Sequence, residues 1–121
     1  MVFTPRSVRA ASVLVSVLVG CSTVIRNVVV GRTHPGVSVE DVERALQALR
    51  DLRVDGVDLA LVAGQDLGLR DGNVSYGITV DLIDEEAYRI YDADEEHNRI
   101  RAELFVPISA SIERVQFRLP D

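Results

Sequence analysis

Val74-Ser75-Tyr76-Gly77-Ile78-Thr79-Val80-Asp81-Leu82 alternates apolar residues with small or polar ones over its whole length. A period of two is that of a strand with one buried face. The pattern predicts a strand over 74–82, with Val74, Tyr76, Ile78, Val80 and Leu82 packed beneath it. Downstream, Asp84-Glu85-Glu86 reads as the start of a short helix, acids at its positive end, with Tyr88 and Tyr91 three residues apart. A second helical piece is expected from Asp94 to Val106, broken near Pro107. Ile112 to Leu119 reads as the last strand, with Val115, Phe117 and Leu119 on one face and Arg114, Gln116 and Arg118 on the other.

Upstream lies a Gly-rich loop, Asp66 to Asn73, and before it an expected strand from Val57 to Gln65. Asp55-Gly56 is expected to end a helix that starts at Ser38, where Ser38 and Asp41 form a capping box. Val39, Val42, Leu46, Leu49 and Leu52 recur at spacings of three and four, the apolar stripe of that helix. Ile25 to Thr33 is a β-rich run stopped by His34-Pro35-Gly36. The order β-α-β-β-α-β predicts an α+β, ferredoxin-like fold: a four-stranded antiparallel sheet with its helices on one face.

Strand one places Val28 and Val30 on one side and Ile25 and Val29 on the other, and Val57 to Ala63 is also apolar on both sides. Strands covered twice read as apolar runs. Asn27, Thr79, Asp81, Arg114 and Gln116 are expected among these residues as polar groups on the second face. A sheet-on-sheet homodimer with a partly polar interior accounts for such a face.

The 121 residues are 47% apolar and 26% charged with a net charge of −6, an ordinary globular balance. The acidity argues against a nucleic-acid partner, because phosphate binding needs a clustered positive surface. One cysteine excludes an internal disulfide, and no Cys/His cluster has zinc-ligand spacing. No metal and no cofactor are expected.

Residues 1–23 contain Arg6 and Arg9 and no acid, which leaves a net of −8 in 24–121. An apolar run from Ala10 to Gly20 before Cys21 resembles a lipoprotein signal, in which Cys21 would be lipidated at the membrane. The run is too short to span a bilayer, which needs about 20 apolar residues. The favoured expectation is translation starting at Val24 and a cytoplasmic protein. The chain has no Lys and is rich in Val, Ala, Arg, Asp and Gly, as GC-rich coding dictates, and GTG is both a Val codon and a start codon. The domain is therefore expected over 24–121, with 1–23 an extension.

Ile25-Arg26-Asn27-Val28-Val29-Val30 followed by Pro35-Gly36-Val37-Ser38 resembles the opening of the stress-responsive A/B barrel (Dabb) family. The loop Val62-Ala63-Gly64-Gln65-Asp66 and the ending Val106-Pro107-Ile108 to Phe117 are similar to it as well. Tyr91-Asp92-Ala93-Asp94-Glu95-Glu96-His97 resembles the family's Tyr-x-x-His-Pro-x-His signature, with Asp94 and Glu95 in place of its first His and Pro. Asn27 stands where a first-strand His is common. The resemblance covers nearly all of 24–121. It implies a homodimer whose two sheets form a barrel, with a small organic ligand between sheet and helices. Plant polyketide cyclases of the family imply His97 as a base and Tyr91 as an orienting group; Asn27, as a polar wall, and Val29 are expected to line the ligand site as well. Cofactor-free monooxygenases share the same dimeric plan. The alternative is a non-catalytic, stress-associated dimer whose interior is filled by side chains. A cavity of about 300 Å³ or more reaching His97 would favour the ligand.

The bland readings are a His97 bonded to backbone, a Tyr91 and Tyr76 packed in the core, and an exposed His34. Asp81 and Arg114 are expected to pair, either in the cavity or at a rim. The acids Asp92, Asp94, Glu95 and Glu96 are expected to be a solvated helix start, since they lack the alternation and Gly of a calcium loop.

Overall fold

A computed structural model describes residues 22–120. The expectations for the N-terminal extension and for Cys21 lie outside these residues. The elements run β1 (Ile25–Thr33), α1 (Val39–Arg50), β2 (Ala60–Gln65), β3 (Tyr76–Leu82), α2 (Glu85–Ala93), α3 (Glu95–Ile100) and β4 (Ser109–Arg118), with a π turn, Arg101–Phe105, continuing α3. The four strands form one sheet in the order β2-β3-β1-β4, every pairing antiparallel. This is the ferredoxin-like α+β arrangement. Among the described residues no helix is long and apolar enough to cross a membrane.

Local chemistry sets the helix starts. The Ser38 hydroxyl accepts from the Asp41 N–H at 3.0 Å, Asp84 caps α2 through the Ala87 N–H at 2.8 Å, and Asp94 caps α3 through the His97 N–H at 2.9 Å. On α1, Val42, Ala45, Leu46 and Leu49 are buried against Ile78, Val80 and Leu82 of β3. Val39, expected on this stripe, is exposed, because it is the first helical residue and overhangs the edge of the contact. The helix ends at Arg50, five residues before the expected stop at Asp55. Leu52 and Val54 reach the core from an irregular segment, which turns at Gly56 with φ +76°. β2 begins at Ala60 rather than Val57, and β3 begins at Tyr76 rather than Val74.

β3 buries Tyr76, Ile78, Val80 and Leu82, as its alternation predicts. β4 is inverted relative to the expected polarity. The register pairs Asn27 with Gln116, Val29 with Arg114 and Ile25 with Arg118, so Arg114, Gln116 and Arg118 share the helix-facing side. Val115 and Phe117 lie on the open side. Asn27, Arg114 and Gln116 therefore do not belong to the open face, and Thr79 and Asp81 do. β4 is the edge strand beyond the main packing of α1, so its inner residues meet a site margin rather than the core.

The open face carries a rung of Val62, Thr79, Val28 and Val115 across all four strands, and a second of Ala60, Asp81, Arg26 and Phe117. Val62, Val115 and Phe117 are 71%, 55% and 47% exposed. In the second rung Arg26 donates to both carboxylate oxygens of Asp81 at 2.8 Å. This fork replaces the expected Asp81–Arg114 pair, whose members sit on opposite faces of the sheet.

Candidate functional site

Between the inner face of the sheet and the segment α2–α3–π turn lies a cavity of about 110 Å³. The sheet supplies Asn27, Val29, Tyr76, Ile78, Ile112 and Arg114 to its wall; the helical side supplies Tyr88, Tyr91, Asp92, His97, Arg101 and Phe105. All four residues singled out in the sequence, Asn27, Val29, Tyr91 and His97, thus border one space.

The break between α2 and α3 sets the arrangement. Asp94 ends one helix and caps the next, so Tyr91 and His97 lie on either side of a corner. Their rings stack with centroids 4.0 Å apart and planes 24° from parallel. His97 Nδ1 lies 2.9 Å from the Tyr91 carbonyl oxygen. A carbonyl only accepts, so Nδ1 carries the proton and Nε2 keeps a lone pair. Burial holds the imidazole below its ordinary value near 6.5, against the opposing pull of that hydrogen bond. His97 is held toward its neutral form by burial, and its bond to backbone orients the ring.

Tyr91 is 3% exposed, and desolvation pushes its phenol up to about 12. It is a hydrogen-bond donor at neutral pH and not a base. Asn27 is 5% exposed and its Oδ1 accepts from Gln116 Nε2 at 2.7 Å. Among the described residues, Tyr91 Oη, His97 Nε2 and Asn27 Nδ2 have no hydrogen-bond partner. Buried polar groups are normally paired, because an unmet one costs about 1–3 kcal/mol. All three groups belong to residues that line the one cavity.

The wall contains two features with no clear sequence signal. The π turn is closed by the Val106 N–H donating to the Arg101 carbonyl at 2.9 Å, and it brings Arg101, Phe105 and Val106 to the cavity. Such single π turns recur at functional sites. Tyr76 packs its ring over Gly31 and against Phe105, at a centroid distance of 5.4 Å, and its hydroxyl lies 2.7 Å from Ser109 Oγ. It is a core residue that also walls the site. Arg101 reaches Asn98 Oδ1 at 2.9 Å and Asp92 at 3.4 Å.

The remaining acids are accounted for by helix ends and ion pairs. Asp94 caps α3, Glu96 accepts from Arg99 at 2.7 Å, and Glu95 is exposed. Among the described residues no group of three or more His, Cys, Asp or Glu is placed to hold a metal ion. His34 lies exposed in its turn.

Solved structures share this fold. A dimeric ferredoxin-like protein of unknown function from Thermobifida fusca is 29% identical, with 81% of this chain and 92% of that one covered and a TM-score of 0.73. A hydroxynitrile lyase from Passiflora edulis is 13% identical over 84% of this chain and 97% of its own, with a TM-score of 0.66. A Dabb family protein with a ferredoxin-like fold from Mesorhizobium loti is 19% identical over 81% and 98%, with a TM-score of 0.62. No protein-family model and no curated protein matches the chain.

Proposed function

We propose that this chain is a cytoplasmic domain of the Dabb type that pairs through its open sheet face and binds a small organic molecule beside His97. The observation that carries the ligand reading is that buried Tyr91, His97 and Asn27 all line one cavity, while Tyr91 Oη, His97 Nε2 and Asn27 Nδ2 have no hydrogen-bond partner among the described residues. A neutral His lone pair next to a phenol donor is a proton acceptor beside an orienting group, the minimum for moving a proton on a bound substrate. The fold neighbours support the pairing, since the Thermobifida protein is described as dimeric. The exposed apolar groups of the open face, Val62, Val115 and Phe117, supply a physical reason for it, as exposed apolar patches mark interfaces.

The volume limits the ligand. About 110 Å³ is well below the roughly 300 Å³ at which drug-sized sites begin. Tyr76, Tyr88, Tyr91 and Phe105 occupy what would otherwise be a larger chamber. This small volume is the observation that favours the second reading, a non-catalytic dimer with a nearly filled interior.

A fragment screen by ligand-observed NMR separates the two, run on the wild type and on Val29→Phe, which fills the cavity from its floor. Ligands that bind the wild type and are lost in a folded Val29→Phe support the site. An empty screen, or hits indifferent to Val29→Phe, would leave only the structural dimer.

A further inference from the structure

The mouth of the cavity has a charge opposite to that of the chain. Its charged lining groups are Arg101, Arg114 and Asp92, a net positive set in a protein whose net charge is −6. Arg101 is already engaged by Asn98 and Asp92. Arg114 makes no ion pair and no side-chain hydrogen bond among the described residues, although most of the other arginines do. It sits two residues from Gln116 on the helix-facing side of β4. That makes it the diagonal neighbour of Asn27, at a spacing of about 7–8 Å in such a sheet. Burial raises the Tyr76 and Tyr88 phenols above their ordinary value, and the nearby Arg114 charge pulls weakly against it.

The interior has a different requirement. Among the described residues, Tyr91 Oη and Asn27 Nδ2 are donors without acceptors, and His97 Nε2 is an acceptor without a donor. A carbonyl oxygen uses only the donors. A hydroxyl uses both kinds, accepting from Tyr91 or Asn27 and donating to His97. At about 110 Å³ the space is far below the roughly 300 Å³ of drug-sized sites, so the molecule is small.

Resting on the ligand reading given above, we propose that the cavity takes a short-chain hydroxycarboxylate. Its hydroxyl enters among Tyr91, His97 and Asn27, and its carboxylate stays at the mouth on the Arg114 guanidinium. Arginine suits this position because its planar fork matches the two oxygens of a carboxylate.

Three probes of equal chain length test the class: 3-hydroxybutyrate, butyrate, which lacks the hydroxyl, and 1,3-butanediol, which lacks the charge. Binding is followed by NMR titration of the wild type and of Arg114→Gln, an exposed substitution that leaves the core untouched. 3-Hydroxybutyrate should bind about tenfold more tightly than either analogue, the worth of one charge-assisted hydrogen bond. Arg114→Gln should remove that advantage over 1,3-butanediol and leave the diol itself unaffected. Equal affinity for the acid and the diol, or an unchanged Arg114→Gln, overturns the proposal. So does failure of all three probes. In that case, fragments displaced by Val29→Phe would show that the cavity reading survives without this ligand class, and an empty screen would show that both fall together.

Discussion

Gly31→Ala is the sharpest test of how the site is walled. A Cβ at position 31 would lie 2.1 Å from Tyr76 Cζ and 2.2 Å from its hydroxyl oxygen, far inside van der Waals contact. A flexible side chain could swing away, but this ring is buried, pinned by Ser109 at 2.7 Å and packed on Phe105. Forcing it aside costs about 1–3 kcal/mol of overpacking strain. Loss of the Tyr76–Ser109 hydrogen bond adds about 1 kcal/mol. The sum, about 2–4 kcal/mol, is a large part of a small domain's stability of roughly 5–15 kcal/mol. It corresponds to a fall in Tm of roughly 10–25 °C for a domain of this size. Urea and thermal unfolding of wild type, Gly31→Ala, Tyr76→Leu and the double variant measure it. With the ring gone the clash is gone, so adding Gly31→Ala to Tyr76→Leu should cost under about 1 kcal/mol. A Gly31→Ala variant within about 0.5 kcal/mol of wild type, or a strictly additive cycle, would refute the reasoning.

Other outcomes follow from the same structure. His97 is depressed in the folded state, so the unfolded chain binds more protons below about 6.5; stability should fall as pH drops from 7 toward the folded value, with a slope of at most ~1.4 kcal/mol per pH unit. His97→Gln should remove that component below about pH 6.5; the lowered carboxylates, such as Asp81 and Glu85, act at lower pH. Denaturant titrations across this window check it, and identical profiles would contradict the buried neutral imidazole. Val62→Asp and Val115→Asp should leave the fold within about 0.5 kcal/mol of wild type and dissociate the pair in sedimentation velocity; an unchanged oligomer would move the interface elsewhere. Leu46→Ala, at a fully buried position, should cost about 2–5 kcal/mol in urea unfolding. Asp94→Ala removes the cap on the His97 N–H and should cost about 1 kcal/mol, with a shift in the His97 ring resonances.

Local rules made much of this fold legible. The alternation from Tyr76 to Leu82, the Ser38–Asp41 cap and the Asp84 start each depend on neighbours in the chain, and each appears as read. Element ends were less legible. Leu52 and Val54 continue an apolar spacing that suits either a helix or an irregular segment, and the packing chose the latter. The face of β4 was misread because Val115 and Phe117 look like core residues. Only the register against β1 shows that Arg114 and Gln116 point inward.

The site divides the same way. Tyr91 and His97 were recognisable as a pair by their spacing and by resemblance, and Asn27 by its place on the first strand. Nothing in the chain's order shows that Arg114, Tyr76 and a π turn from Arg101 to Phe105 complete the same wall. The element order and the polarity of the strands and helices buried on one side follow from periods of two and 3.6 residues along the chain. Tertiary structure alone decided which side of the edge strand faces the helices and how small the enclosed space is. Both depend on register and on side-chain volumes meeting across the fold, and neither is a property of adjacent residues.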